Sequence, residues 1–235
     1  MPPIVSFIGW HNSGKTTLAS QVVTHLQDRG YSVAVIKSTK ESGISHGPRG
    51  TDTKIYRRAG ATGVMLAAPD QMILETDAQG KNLIALAHRY FPDVHLVLAE
   101  GFKNARQVAK IEVSRGDGPL LRDQVSGVIA IATDQRIAGD YIFRLDESRE
   151  IADFIEKRFL KDEKNVRERV VLMIDGRKIV LKDFVQEILA NTVTGFVDSL
   201  KAARGADNME LRIRLLKDGS DCIAFAAPDE DIKGI

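Results

Sequence analysis

Cysteine is almost absent: Cys222 stands alone in 235 residues. One thiol excludes an intrachain disulfide framework and every zinc site built on several cysteines, which fits a reducing compartment. Neither sign of charge is in excess, because 33 Lys and Arg face 32 Asp and Glu for a net charge of +1. No global field therefore steers the chain towards nucleic acid or an anionic membrane, and any recognition of anions must be local. Long apolar runs are missing too: no stretch approaches the roughly 18 uncharged apolar residues of a spanning helix. Met1-Pro2-Pro3-Ile4 lacks the basic start and longer apolar run of a signal peptide. Internal repeats and low-complexity segments are also lacking. What remains, 43% hydrophobic and 28% charged residues, is the composition of a soluble globular protein, expected in the cytoplasm, with room for one substantial domain and a small one.

Over the first 160 residues, short β-branched apolar runs alternate with runs of helical period. This is the pattern of an α/β domain with a largely parallel sheet. Strands are expected at Ile4–Ile8, Ser32–Lys37, Gly63–Ala67, Met72–Thr76, Val94–Ala99, Val108–Val113 and Val128–Ala132. Leu18, Val22 and Leu26 recur at i+4, as do Ile151, Ile155 and Phe159 on a later helix. Only Ala67-Ala68-Pro69-Asp70-Gln71 separates Val64-Met65-Leu66 from Met72-Ile73-Leu74, too little for a crossover helix, so this pair should be an antiparallel hairpin. A charge-dense stretch, 161–169, with Val166 its one apolar residue, reads as a linker. Beyond it, Val170–Ile174 and Lys178–Leu181 flank Asp175-Gly176, a dipeptide suited to a hairpin turn. A helix carrying Phe184, Ile188, Leu189, Val193 and Val197 should follow, then a strand at Leu211–Leu215. Residues 1–160 are thus expected to form one α/β domain, 170–217 a small ββαβ (α+β) module, and 218–235 a tail.

The chemistry is concentrated in Gly9-Trp10-His11-Asn12-Ser13-Gly14-Lys15-Thr16-Thr17, a complete G-x-x-x-x-G-K-[ST] phosphate loop between a predicted strand and a predicted helix. Phosphate oxygens need several donors in a concave arrangement, and glycines at both ends let the backbone curl its N–H groups inward. The following helix adds the positive end of its dipole. Lys15 is expected to reach the β- and γ-phosphates, the Thr16 hydroxyl to ligate Mg²⁺, and Thr17 to donate to the α-phosphate. Gly9, His11, Asn12, Ser13 and Gly14 complete the cradle, with His11 contributing mainly backbone.

Such a loop needs a second carboxylate on the metal side, usually at the end of a buried strand. The apolar run Val94–Ala99 ends in Glu100, the candidate Mg²⁺ ligand and catalytic partner of Lys15; Asp93 is a weaker competitor. Asp52, in Thr51-Asp52-Thr53, reads equally as a metal-side residue and as a helix cap. From Lys37 to Arg58, six Lys and Arg face only Glu41 and Asp52, a local basic excess for phosphates or an anionic acceptor, or simply a solvated face. Gly43, Gly47 and Gly50 suggest that this segment orders on ligand binding. His46 lies in it, and a lone loop histidine is usually only solvated. His25, His88 and His95 read as packing residues.

Together these pieces resemble the molybdopterin-guanine dinucleotide biosynthesis protein B family of P-loop proteins. The resemblance rests on Phe7-Ile8-Gly9 with Ser13-Gly14-Lys15-Thr16-Thr17, Val35-Ile36-Lys37, the Asp52 segment, Ala59-Gly60-Ala61, Leu96–Lys103 with its Glu100-Gly101-Phe102-Lys103, and Ala109-Lys110-Ile111-Glu112-Val113, and covers about residues 1–135. It implies a P-loop NTPase three-layer sandwich that binds GTP and Mg²⁺ and assists the guanylyltransferase attaching GMP to molybdopterin, often as a homodimer. By the same likeness Lys37 belongs to the nucleotide site. Two departures stand out. Ser38-Thr39-Lys40 replaces the histidines that often follow the family's lysine, and no full Asn-Lys-x-Asp guanine signature occurs. Asp134, in Ala132-Thr133-Asp134, sits where a guanine edge would be read, although adenine stays open on chemistry alone. The C-terminal module lies outside the family core and is expected to serve dimer or partner contacts.

Three functions follow from this sequence: a slowly hydrolysing GTP-binding accessory protein of molybdenum-cofactor maturation, a P-loop small-molecule kinase, and a nucleotide-gated adaptor without turnover. Slow hydrolysis is expected because no obvious glutamine or arginine finger accompanies the loop. Trp10, the only tryptophan, lies inside the loop and should report on it. Its fluorescence is expected to change saturably with Mg²⁺-GTP, and parallel titration with Mg²⁺-ATP measures the base preference.

Overall fold

Among the residues described by this computed structural model (1–41, 52–77, 82–161, 170–174, 177–200, 209–211 and 213), the central element is β1 (Ile4–Ile8). Every residue of β1 is buried, as expected for a strand covered on both faces. It leads through the phosphate loop into α1 (Lys15–Asp28), then β2 (Val33–Lys37) and the short α2 (Asp52–Arg58). An antiparallel hairpin, β3 (Gly63–Ala67) and β4 (Met72–Thr76), follows with Met65 opposite Leu74, as its short connection requires. After it come α3 (Leu83–Tyr90), β5 (Leu96–Glu100), β6 (Ala109–Ser114), β7 (Val128–Thr133), β8 (Ile142–Phe143) and α4 (Ser148–Ile155).

Six strands form one parallel sheet in the order β2-β5-β1-β6-β7-β8. Alternation along the strands separates two faces. Val5, Phe7, Leu98 and Ile111 pack with Leu18, Val22 and Leu26 of α1 and with Ile151 and Ile155 of α4. Ile4, Ala34, Val97 and Ala99 pack with Leu83 and Ala87 of α3 on the other face. This is the three-layer α/β sandwich expected from the alternating pattern. The strand β8 was not foreseen: two residues are too short to show a period, and it is held by pairing to Ile131 and Ala132.

Local chemistry ends and starts the helices. The Asn82 side chain accepts the Ala85 N–H at 2.9 Å and caps α3. Gly30 accepts the positive φ that terminates the turn after α1, with its N–H on the Gln27 carbonyl at 2.8 Å. Past Ile155, α4 widens into one π-helical turn, Glu156–Leu160, carrying on the face begun by Ile151. Buried Glu156 closes this end of the sandwich: it accepts from Arg29 at 2.6 Å, Lys161 at 2.8 Å and the Tyr31 hydroxyl at 3.0 Å. At the end of the strands opposite the phosphate loop, buried Lys110 of the interior strand β6 donates to the carbonyls of Ala105 and Ser126, both at 2.7 Å.

Contacts divide the chain after Asp183 into two units. The first ends in a hairpin, β9 (Leu172–Ile174) and β10 (Arg177–Ile179), with Ile174 opposite Arg177, so two residues connect the strands. The second, from Phe184, contains all but the first residue of α5 (Asp183–Val197), the helix expected from the Phe184, Ile188 and Val193 rows. Most of Leu211–Leu215, the expected third strand, and all of the 218–235 tail lie outside the described residues, as does the 162–169 part of the charged linker. No helix among the described residues is long and apolar enough to cross a membrane.

The Lys161 hydrogen bond, with those of Tyr31 and Arg29, lowers the Glu156 pKa below its ordinary 4.5. A depressed folded pKa gives stability that is present above the unfolded value and lost as pH falls through the folded one. Replacing Glu156 by Gln should therefore cost about 1–3 kcal/mol at neutral pH. The difference in urea midpoint between parent and variant is expected to shrink as the pH is taken below the ordinary carboxylate range.

Candidate functional site

β1 lies between β5 and β6, so the loop leaving its C-terminal end is flanked by the ends of both. Gly9 turns the chain out of the strand. A Cβ there would lie 2.2 Å from the Val113 carbonyl oxygen of β6 and 2.7 Å from the Ser13 hydroxyl, so only glycine fits. Gly14, with φ 91°, precedes α1 in the left-handed region, which lets the loop curl before the helix begins. His11 and Asn12 form the exposed crown, Asn12 with φ 60°, while Ser13 is buried beneath it. The first three residues of the helix are Lys15, Thr16 and Thr17, the last two exposed at the rim.

Lys15 folds over this loop and donates to the Trp10 carbonyl at 2.5 Å, with the Ser13 hydroxyl at 3.4 Å. Burial lowers the Lys15 pKa; Glu100 opposes that shift and Lys37 adds to it. Trp10 is itself anchored. Its indole N–H donates to the Pro119 carbonyl at 2.7 Å, and the Lys103 ammonium lies 5.3 Å from its ring centre. The Pro119 segment is set in turn by Glu112, a fully buried carboxylate that accepts the N–H groups of Leu121 at 2.5 Å and Arg122 at 2.8 Å.

The structure brings Thr16, Lys37 and Glu100 together. The parallel register sets Lys37 opposite Glu100 across β2 and β5, and Phe7 opposite Glu100 across β1 and β5. Glu100 therefore ends beside the first turn of α1. Its Oε1 accepts from the Thr16 hydroxyl at 2.8 Å and from the Lys37 ammonium at 3.2 Å. A hydroxyl and a carboxylate at this distance are hard oxygen donors of the kind Mg²⁺ takes alongside water and phosphate, so the residues fit a magnesium ion. The two are too few to hold a metal alone, and no larger group of His, Cys, Asp and Glu arranged for a metal occurs among the described residues. A metal here would need the ligand's own oxygens. Asp93 precedes β5 at its other end, away from the loop. Asp52 begins α2, but its side chain lies outside the described residues, as do His46, Arg49 and the glycines at 43, 47 and 50.

On the other side of the loop, a cavity of about 390 Å³ opens beside Thr17 and Gln21, with Arg115, Asp134, Arg144 and Ser148 in its wall. Asp134 stands at the end of β7 as expected, and its Oδ1 accepts the Gly116 N–H at 2.8 Å. The Arg115 guanidinium passes 3.6 Å from where a Cβ on Gly14 would sit. Sequence reasoning missed Arg115, Arg144 and Glu112. The first two come from loops whose register cannot be read from periodicity, while Glu112 was visible inside Lys110-Ile111-Glu112 but had no role to be assigned.

A phosphate loop, a hydroxyl and carboxylate in contact, and an adjoining cavity of nucleoside size are the parts of a nucleotide site. The profile of MobB, molybdopterin guanine dinucleotide synthesis protein B, matches residues 4–134, more than half of the chain and the part that builds this site. The chain belongs to the MobB family. A MobB relative from Escherichia coli, described as a molybdopterin-guanine dinucleotide biosynthesis adapter protein, is 32% identical over 163 residues, covering 66% of this chain and 92% of its own. One from Methanocaldococcus jannaschii, described as a putative adapter protein of the same kind, is 23% identical over 240 residues and covers 91% of this chain and 98% of its own. A crystal structure of molybdopterin-guanine biosynthesis protein B superposes with a TM-score of 0.53 at 30% identity, covering 66% of this chain and 98% of that one. The MobB core is thus the P-loop sandwich, and the residues beyond it extend a fold that the crystallised relative has without them.

Proposed function

We propose that this MobB-family protein binds GTP with Mg²⁺ and acts as an adapter in molybdopterin-guanine dinucleotide formation. The carrying observation is the convergence of Lys15, Thr16 and Glu100 at one end of β1, with the cavity at Asp134 next to it. In this reading the amides of Gly9, His11, Asn12, Ser13 and Gly14 and the N-terminus of α1 cradle the phosphates. Lys15 exchanges the Trp10 carbonyl for phosphate oxygens, and Thr17, at the cavity mouth, donates to the α-phosphate. Thr16 and Glu100 hold Mg²⁺, which neutralises charge on the phosphate oxygens when bound. Asp134, with one carboxylate oxygen fixed by Gly116, turns the other to the edge of the base. A carboxylate oxygen accepts hydrogen bonds, and guanine offers adjacent N–H donors, which favours GTP.

The names carried by the relatives support the pathway and the adapter role. In this reading the partner is the guanylyltransferase that joins GMP to molybdopterin, met by a homodimer of this chain. Weak GTPase activity fits this reading, because Glu100 serves the metal side with Thr16 and is then not the group that activates a water molecule. A kinase would require loss of the γ-phosphate to depend on an acceptor. Bare hydrolysis does not separate the readings; dependence on the guanylyltransferase does.

Calorimetric titration with GTP tests the site. Lys15→Ala is expected to weaken binding about 10–100-fold, the worth of about 1.5–3 kcal/mol of charge-assisted hydrogen bonding, with circular dichroism unchanged. Glu100→Ala should keep metal-free binding but flatten the response to added Mg²⁺; a parental Mg²⁺ response would remove Glu100 from the metal side.

A further inference from the structure

The Lys37 ammonium sits on the two oxygens that the nucleotide reading reserves for the metal. It lies 3.2 Å from Glu100 Oε1 and 3.5 Å from Thr16 Oγ1, while those two oxygens are 2.8 Å apart. A positive charge bridging a carboxylate and a hydroxyl is what a divalent cation does there. We propose that Lys37 is a tethered counter-cation, which neutralises the Thr16–Glu100 pair when metal is absent and must give way when Mg²⁺ enters with the nucleotide. The proposal rests on the reading of Thr16 and Glu100 as the metal side of a GTP site.

Three features carry it. First, the position is built into the sheet: β2 and β5 pair in register with Lys37 opposite Glu100, and the Ser38 N–H on the Glu100 carbonyl at 2.9 Å locks the ends together. The ion pair is therefore not needed to hold the strands. Second, exclusion is geometric. Mg²⁺ draws its oxygens to about 2.0–2.1 Å in a nearly octahedral shell and tolerates no ammonium among its ligands. Both cations claim the same Oε1, and the Thr16 hydroxyl that now donates to Glu100 would have to turn a lone pair to the metal. Third, displacement is easy, because the Lys37 side chain is 57% exposed and its stem is flexible. Lys37 is thus a positioning residue that sets how strongly nucleotide binding depends on metal.

The test is the ratio of GTP dissociation constants in excess EDTA and in excess Mg²⁺, measured by calorimetry on the full chain for the parent, Lys37→Gln and Lys37→Arg. Parent protein is expected to bind GTP in both conditions. Lys37→Gln should lose metal-free binding by about tenfold or more, roughly 1.4 kcal/mol, while keeping binding with Mg²⁺ and reaching half-saturation at lower Mg²⁺. Mn²⁺ in place of Mg²⁺ gives a second readout, since electron paramagnetic resonance counts free Mn²⁺ directly and should show tighter uptake by the variant with GTP. Lys37→Arg, which keeps the charge, should restore metal-free binding. An unchanged ratio in Lys37→Gln, or equal loss in both conditions as for a simple phosphate ligand, overturns the proposal and leaves the GTP site standing. Failure of the parent to bind GTP in either condition overturns the site and the proposal together.

Discussion

The backbone of Gly9 runs so close to the Val113 carbonyl that a side chain has no room, and the site depends on that approach. It lets the loop leave the middle strand of a parallel sheet without pushing β6 aside. Because β1 keeps neighbours on both sides, the end of β5 delivers Glu100 to the first turn of α1, and the end of β6 delivers Arg115 to the other side of the same turn. A loop on an edge strand would have one such neighbour. The two sides of the site, one at Thr16 and Glu100 and one facing the cavity, are consequences of strand order and not of the loop alone.

Much of this was legible in the sequence, and the reason is periodicity plus spacing. The glycine-lysine-threonine pattern needs no tertiary information, and a strand of buried residues ending in an acid identifies Glu100 from its position. Lys37 was visible as the end of Val35-Ile36-Lys37 but not as the partner of Glu100, because register between strands separated by some 60 residues is decided by packing. The two-residue strand β8 carried no period, and Arg144 next to it was hidden for the same reason.

Lys110 and Glu112 show a different limit. Both are charged, and both are essentially fully buried in β6. A charge pair two residues apart on a strand reads as a solvated face, whereas here each is taken up by backbone. Lys110 holds carbonyls of loops at the N-terminal end of the strand, and Glu112 holds two amides at the side of the phosphate loop. Buried charges cost several kcal/mol unless fully hydrogen-bonded, so these residues specify the paths of the loops they bind. Through Leu121 and Pro119 that specification reaches Trp10, whose carbonyl holds Lys15.

On the Glu100 side of the loop the charged groups have partners from their own chain: Lys15 the Trp10 carbonyl, and Lys37 the Glu100 carboxylate, which also accepts from Thr16. A polyphosphate with its metal would exchange these bonds one for one instead of ordering free side chains. For these side chains the arrangement is already set in the folded chain, which lowers the cost of reorganisation on binding, and the same exchange reverses when the ligand leaves. For an adapter this is the useful property. Binding and release can follow the state of a partner without passing through an irreversible chemical step, whereas a fast hydrolase would need Glu100 or another group freed from these bonds and aimed at water.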